Sequence, residues 1–212
     1  MTRKMPKKIL CCLLLMLLPF TGCWDATDVK DMVIPLIAGF DYSQGKYIML
    51  LNYPVLGEAK EQSDVLRTEG RSFGESRIDR GNKTSRIVAS GDLKGVIIGE
   101  ELAKRGTEGL FDYLFRFTTL SQTVRLIVAD GSAEDIFQVE PKQYRSVGEN
   151  VLDLMRNSGQ NNFIPDENLH RFKINVYTAG FNPVLPVIKI HQQDRIEVTG
   201  AALFKNIAWW QR

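Results

Sequence analysis

The sequence predicts an α+β, or mixed α/β, fold in which a mixed β-sheet is layered with helices. Two apolar runs meet across a short glycine-containing turn, helix-start signals follow them, and further short apolar runs alternate with segments of helical periodicity. Strands that alternate with helices form layered sheets, because each helix covers the apolar face of the sheet. We therefore expect one layered domain over residues 33–205.

A β-hairpin is predicted at the start of this domain. Residues 33–42 and 46–55 are both mostly apolar, and the polar turn 43–45 lies between them. Two apolar runs separated by a short turn with glycine are typical of a hairpin. Residues 58–70 are polar, and we interpret them as a loop or as the start of an exposed strand.

Two helix starts are indicated by serines that are followed three residues later by a glutamate, the spacing of a capping box. The first is Ser72, and its helix would continue weakly to Arg86 because the body is polar and contains glycine. The second is Ser146, with an expected stop at Gly159.

The remaining elements follow from hydrophobic periodicity. A helix is expected over residues 100–117 with a break at Gly106, and a short helix over residues 132–137. Residues 169–177 are ambiguous, because apolar residues at helical spacing compete with a β-branched composition. Four further strands are predicted, at residues 96–98, 123–129, 184–190 and 195–204.

Residues 1–22 have the anatomy of a lipoprotein signal peptide. Four basic residues precede the apolar run Ile9–Phe20, and the small residues Thr21 and Gly22 lead to Cys23. The run is shorter than the roughly 20 residues that a helix needs to span a bilayer. We predict cleavage between Gly22 and Cys23 and acylation of the Cys23 thiol. An ordinary secretory signal with a chance cysteine, and an uncleaved anchor, are the alternatives.

Removal of this leader changes the charge and the cysteine content. The leader holds four of the 27 basic residues and none of the 25 acidic ones, so the net charge of +2 becomes −2. A near-neutral chain has no basic stripe for nucleic acid. Cys23 is then the one remaining cysteine, which excludes a disulfide within the chain. Residues 23–32 are expected to form a lipidated tether.

A search for catalytic or metal-binding motifs finds little. The two histidines, His170 and His191, have no His-x-x-x-His or cysteine pairing, which argues against zinc. Gly81-Asn82-Lys83-Thr84 has only a distant likeness to a phosphate-binding loop, and we interpret it as a surface loop. We expect no catalytic residue, no cofactor and no metal.

A series of motifs resembles the Ger(x)C family of spore germination lipoproteins. It opens with Gly22-Cys23-Trp24-Asp25 ahead of the apolar strand 34–42 and covers nearly all of the chain after the leader. Each motif is weak alone, but their order is specific. The later motifs, in chain order, are Thr68–Gly70, Val96–Ala103, Val128–Gly131, Asn182–Pro186 and Gly200–Lys205.

The resemblance implies a role without catalysis. Ger(x)C proteins act as the third subunit of nutrient germinant receptors, beside two integral membrane subunits. The lipoprotein would lie on the outer face of the spore inner membrane or of the cell membrane, held by acylated Cys23. Residues 33–205 would be the N-terminal α/β region of a multi-domain Ger(x)C-like fold.

Residues 206–212 depart from the resemblance. Family members continue after the Leu-Phe-Lys strand into a return strand and a C-terminal domain, whereas this sequence reads through Trp209 and Trp210 to Arg212. We interpret 206–212 as a divergent, truncated tail, so a non-functional truncated copy is an alternative to a working subunit.

Two other functions stay open at this point. A solute-binding lipoprotein of an importer would share the lipid anchor but would need a cleft between two lobes. A lipid-anchored hydrolase would need Ser121 or Ser158 beside His170 or His191.

Overall fold

The structure of the chain is a computed structural model that describes residues 8, 28–55, 62–158, 165, 167–191, 195–205 and 208–210. Two compact units, residues 1–31 and 32–212, divide the chain. The first unit contains the 3₁₀ turn Val29–Asp31. The described part of the second unit contains ten strands and six α-helices.

The strands alternate with helical segments along the chain. They are β1 Met32–Val33, β2 Ile37–Ser43, β3 Lys46–Val55, β4 Gln62–Gly70, β5 Ile87–Val88, β6 Gly95–Ile98, β7 Arg125–Ala129, β8 Val184–His191, β9 Arg195–Lys205 and β10 Ala208–Trp210.

The helices connect these strands. They are α1 Phe73–Lys83, α2 Glu100–Arg105, α3 Glu108–Arg116, α4 Ala133–Phe137, α5 Val147–Ser158 and α6 Leu169–Tyr177. The mixed sheet with helices confirms the predicted fold class.

One mixed sheet of eight strands organises the second unit, in the order β10-β9-β8-β7-β6-β2-β3-β4. The neighbours β2, β6, β7 and β8 run parallel, and antiparallel strands continue the sheet on both sides. Parallel strands require crossover connections, and the helices supply them. The carboxyl ends of the four parallel strands therefore meet along one edge of the sheet.

The predicted hairpin is present as β2 and β3. The two strands pair antiparallel up to Ser43 opposite Lys46, and Gln44 (φ 50°) and Gly45 (φ 80°) form the turn. Positive φ at both central residues is the geometry of the tight turn that matches strand twist. The first strand begins at Ile37 and not at Val33, because Pro35 lacks the N–H that a continuing ladder needs. Val33 instead belongs to β1, which pairs with β5.

Helices cover both faces of the sheet. On one face Phe73, Leu102, Phe111 and Phe172 bring α1, α2, α3 and α6 onto the strands, and the Phe111 and Phe172 rings stack 4.1 Å apart. On the other face α4 and α5 pack through Ile136, Val151 and their neighbours. Side chains alternate between the two clusters along each strand, as in β3, where Ile48 and Leu50 face one side and Met49 and Leu51 the other.

The predicted capping serines begin their helices. Ser72 Oγ accepts the Glu75 N–H (3.2 Å) and Ser146 Oγ accepts the Glu149 N–H (3.1 Å). In both helices the glutamate carboxylate accepts the N–H of the residue that precedes the serine, rather than that of the serine itself. The two helix starts are therefore confirmed with a shifted form of the box.

Four interpretations are settled by the structure. Residues 62–70 are a nine-residue edge strand, so the strand alternative for this polar region is confirmed. Gly81–Lys83 form the last turn of α1 and Thr84 is its C-cap, so the interpretation as a loop was wrong. Residues 169–177 are a helix, because Asn168 caps its first turn and its apolar spacing faces the core. The break at Gly106 (φ 122°) is confirmed.

One buried polar side chain has no matching partner. Asn52 on β3 is 1% exposed, and neither its Nδ2 nor its Oδ1 has a hydrogen-bond partner among the described residues. Gly148 at the start of α5 lies against it, since a Cβ at position 148 would be 2.7 Å from Asn52 Oδ1. An unsatisfied buried polar group costs about 1–3 kcal/mol.

We expect the variant Asn52→Val to raise the free energy of unfolding by about 1 kcal/mol, because it removes two unpaired polar atoms and suits a strand. Urea unfolding of the purified protein measures this change.

Asn52→Asp is the matched comparison, because it keeps the shape and adds a buried charge that has no partner. It is expected to lower the free energy of unfolding by about 3 kcal/mol or more. A loss of stability in Asn52→Val would mean that ordered water satisfies the amide.

Candidate functional site

The carboxyl edge of the parallel strands holds a buried carboxylate. Asp41, near the end of β2, is 5% exposed. Its Oδ1 accepts the Ala133 N–H (2.9 Å) and its Oδ2 accepts the Glu134 N–H (2.8 Å), which are the first two amides of α4. Burial raises the pKa of Asp41, while the two N–H hydrogen bonds counteract part of the rise. Both carboxylate oxygens are thus occupied by the backbone of α4.

Gly99 makes this arrangement possible. It is the N-cap of α2, directly after β6, and a Cβ at this position would lie 1.7 Å from Asp41 Oδ1. The adjacent Glu100 then joins the next turn, since its N–H donates to the Gly131 carbonyl (2.8 Å) and its Oε2 accepts the Gly131 N–H (3.1 Å). We call Asp41, Gly99, Glu100, Gly131 and Glu134 the carboxyl-edge junction.

A network of charged side chains continues from the junction across the edge strands. Arg67 on β4 donates from Nε to Glu134 Oε1 (2.7 Å) and from Nη1 to Glu69 Oε2 (2.9 Å), and Glu69 also pairs with Lys46. Hydrogen bonds to the two glutamates raise the pKa of Arg67, and those from Lys46 and Arg67 lower the pKa of Glu69. These side chains are half-exposed, so the network fixes geometry more than it adds stability.

Residues 68–70 hold α1 against the sheet. The Thr68 and Ser76 hydroxyls lie 3.0 Å apart in a buried contact, and Asp79 Oδ2 accepts the Glu69 N–H (3.0 Å). A Cβ at Gly70 would lie 2.5 Å from Ser76 N, so the helix approaches the strand as closely as glycine permits. This segment therefore has a packing role.

The surface at the carboxyl edge is acidic. A cleft of about 570 Å³ borders the junction, and its lining includes four carboxylates and Lys104. The carboxylates are Asp41, Glu100, Glu101 and Glu134. Within the described part of the chain, no three His, Cys, Asp or Glu side chains are grouped so that they could hold a metal ion. The polar groups of the junction bind one another, which is the arrangement of a structural joint.

Gly22 and Cys23, the predicted cleavage and lipidation residues, lie outside the described residues. In the described ranges, no helix is both long enough and apolar enough to cross a membrane.

The residues considered for a hydrolase are placed as follows. Ser121 Oγ lies 2.8 Å from Thr123 Oγ1, and His191 Nδ1 lies 3.5 Å from Glu197 Oε1. His170 is exposed on α6, and its N–H donates to the Gln122 carbonyl. The side chain of Ser158 lies outside the described part. The hydroxyl and imidazole contacts of Ser121 and His191 are therefore with other residues.

An exposed apolar face on α6 was not predicted from the sequence. Ile174, Tyr177 and Phe181 are 50%, 70% and 63% exposed. Ile174 and Tyr177 are three residues apart on the helix, so they share one side of it, and Phe181 lies in the turn directly after the helix. The turn is held in place, because the Thr178 hydroxyl donates to the Ile174 carbonyl (2.7 Å) and the Phe181 N–H donates to the Thr178 carbonyl (3.2 Å). We call these three side chains the α6 face.

Comparison with known proteins identifies the family. A family model described as the spore germination protein N-terminal domain matches residues 25–190, most of the chain. The chain belongs to the Ger(x)C family of spore germination proteins. The family resemblance stated from the motifs is therefore confirmed.

Three curated relatives agree with this family. "Putative spore germination protein YfkR" of Bacillus subtilis (strain 168) is 24% identical and aligns with 93% of this chain and 54% of its own length. "Spore germination protein B3" of the same organism is 24% identical over 90% of this chain and 53% of its own length. "Spore germination protein GerQC" of Bacillus cereus is 21% identical over 87% and 52%. The chain spans about half the length of these relatives. No solved structure matches it.

The Ger(x)C motifs meet in pairs in the structure. Val96–Ala103 and Val128–Gly131 are joined at the carboxyl-edge junction through Glu100 and Gly131. Asn182–Pro186 pairs with Gly200–Lys205 in the β8–β9 ladder. The motifs in the described residues therefore lie at the joints of the fold, and the α6 face lies outside them.

Asp41→Ala is expected to lower the free energy of unfolding by about 2–4 kcal/mol, because two amides of α4 lose their acceptor.

The pH dependence of the free energy of unfolding gives a second prediction. Since burial raises the folded pKa of Asp41 above its ordinary value of 3.8, the folded protein holds the proton more tightly than the unfolded chain. The stability of the wild type relative to Asp41→Asn should therefore fall as the pH rises from that value through the raised one.

Glu101→Gln, at an exposed carboxylate in the same cleft, is the control and should change stability by less than about 0.5 kcal/mol. Gly99→Ala should act in the same direction as Asp41→Ala. An Asp41→Ala variant as stable as the wild type would contradict the role of the junction.

Proposed function

We propose that the chain is a lipid-anchored subunit of a nutrient germinant receptor and acts in bacterial spore germination through protein–protein contacts rather than catalysis. Its membership of the Ger(x)C family supports the process. The α6 face supports the mode of action, because it presents three exposed apolar side chains on α6 and on a hydrogen-bonded turn after it. The partners proposed are two integral membrane subunits.

The anchor is proposed at Cys23. The order of basic residues, apolar run, small residues and cysteine supports cleavage after Gly22 and acylation of the new N-terminus. Residues 23–32 would then be the tether, and residues 33–205 the N-terminal α/β domain. Two or more acyl chains would hold this domain stably at the outer face of the spore inner membrane or of the cell membrane.

The α6 face is the proposed contact with a membrane subunit. Aromatic side chains at the centre of an interface contribute most of the binding energy in many complexes, and Tyr177 and Phe181 supply two of them. Arg171 and Lys173 flank the apolar residues and would form a polar rim. A partner anchored in the bilayer suits a domain that the lipid holds at the same surface.

The lipid anchor is tested with Cys23→Ala. We expect this variant to lose incorporation of labelled fatty acid and to accumulate unprocessed or be shed, because the acylated thiol is gone. Cys12→Ala, at a cysteine inside the apolar leader, is the control and should keep the label. Unchanged labelling of Cys23→Ala would refute the anchor.

The contact surface is tested by recovery of the tagged full-length protein from spores under gentle detergent extraction. The wild type should be recovered with two multi-span membrane proteins, and Tyr177→Ser with Phe181→Ser should lose them. Ile78→Ser is the control, because Ile78 is 69% exposed on α1 and lies outside the α6 face.

Recovery of the wild type as a lone monomer would contradict the receptor role. Recovery of both membrane proteins with the double variant would leave the role standing and place the contact elsewhere.

A further inference from the structure

A second cleft lies at the opposite edge of the parallel strands. Its floor is formed by Leu36, Lys94 and Arg125, the residues at the amino ends of β2, β6 and β7. Backbone hydrogen bonds hold them in series, from the Lys94 N–H to the Leu36 carbonyl (2.9 Å) and from the Arg125 N–H to the Lys94 carbonyl (2.9 Å). The floor is therefore a continuation of the hydrogen-bonded sheet.

Two segments of the chain form the walls of this cleft. One is a face of α5 that presents Glu149, Leu152, Asp153 and Arg156, at i, i+3, i+4 and i+7. The other is the segment 142–145, which precedes α5. Glu149 ties the walls together, because its Oε2 accepts the Arg145 N–H (3.1 Å). Together they border an open cleft of about 900 Å³, within the size range of small-molecule sites.

The lining carries a surplus of positive charge. Five basic side chains face two carboxylates, and the basic ones are Lys94, Arg125, Lys142, Arg145 and Arg156. Both carboxylates take part in local structure, since Asp153 pairs with Arg156 (3.0 Å) and Glu149 holds the backbone of Arg145. Beside the cleft, Lys94 pairs with Asp92 (3.8 Å). The formal charge of the lining is +3. The whole sequence has a net charge of only +2, so this surplus is a local concentration.

The shape of the cleft favours a small ligand over a long polymer. The cationic groups come from the floor and from both walls, so they border one cleft instead of forming an extended stripe. Arginine side chains bind planar oxyanions with paired hydrogen bonds, which suits carboxylate and phosphate groups. Leu36 and Leu152 add apolar surface for the carbon part of a ligand.

We propose that this basic cleft, defined by the floor residues, the α5 face and the segment 142–145, binds a small anion with two or more carboxylate or phosphate groups. A ligand of this charge would bridge the walls. The site is independent of the α6 face, and its occupancy does not depend on receptor assembly.

The test is isothermal titration calorimetry on the full chain, purified in a neutral detergent, with citrate and with pyrophosphate as probes. We expect saturable binding of at least one probe that weakens as potassium chloride is added. In Lys142→Gln with Arg145→Gln, binding should weaken about tenfold or more, because two charge-assisted contacts are lost. Glycerol, which is uncharged, should give no saturable heat.

Arg71→Gln is the matched control, because it removes an exposed charge near α1, outside the cleft. It should bind as the wild type does. If the double variant fails to fold by circular dichroism, Arg156→Gln on the exposed side of α5 serves instead. The absence of saturable binding of either probe, or equal binding by the wild type and the cleft variant, would overturn the proposal.

A second arm separates a free solute from a lipid headgroup. The protein is reconstituted in vesicles of phosphatidylcholine alone or of phosphatidylcholine with phosphatidylglycerol, and the titration is repeated. Binding of the probe in both vesicles indicates a free solute as the ligand. Loss of binding only in the vesicles with phosphatidylglycerol indicates that the anionic headgroup occupies the same cleft.

Discussion

The hydrogen bonds that the Asp41 carboxylate accepts from the first amides of α4 hold the second unit of the chain together. They join β2 to a helix 92 residues later in the sequence. Gly99 leaves the space in which the carboxylate sits, and Glu100 and Gly131 lock the neighbouring turns to each other. This joint acts together with the packing of Ile136 to hold α4 over the sheet face that it covers. The start of α2 is also held to β2 by the Gly99 N–H, which donates to the Phe40 carbonyl. The cost of burying the charge is visible in the raised pKa of Asp41.

The polar groups at the two ends of the parallel strands differ in what they contact. At the carboxyl edge, where α/β folds commonly bind ligands, the polar groups are consumed in contacts with one another. At the amino edge, the side chains of three strand starts open into a cleft with a surplus of basic groups. The family motifs in the described residues belong to the joints of the fold, which explains why they identify the family but do not reveal a site. Surfaces for partners or ligands are therefore to be sought outside the motifs.

Local signals account for the parts of this fold that the sequence predicts. The hairpin follows from Gly45 in its turn, the starts of α1 and α5 from serine caps, and the break between α2 and α3 from Gly106. The errors arise where packing overrides propensity, as in Gly81, which remains helical because α1 is seated on β4. The Asn168 cap was the signal that would have resolved the ambiguity at α6.

The candidate surfaces were harder to predict, for a physical reason. In the sequence, Asp41 is indistinguishable from a polar residue at the end of a strand. Its partners are too distant in the sequence for any spacing rule to predict the contact. The basic side chains of the cleft come from four separate segments, so no run of charged residues in the sequence predicts the cleft. On α6, the sequence gives apolar residues at helical spacing, but only the packing of Phe172 decides which of them face outward.

The opposed charges of the two edges change how the molecule interacts with its surroundings. The amino-edge cleft has a formal charge of +3, and the carboxyl-edge cleft, with four carboxylates and one lysine, has −3. Five residues of strand separate Leu36 from Asp41, which is about 17 Å at about 3.3 Å per residue. This exceeds the screening length of about 10 Å at 0.1 M salt. A charged neighbour at either edge therefore responds mainly to that edge, and the small net charge of the chain describes neither of them.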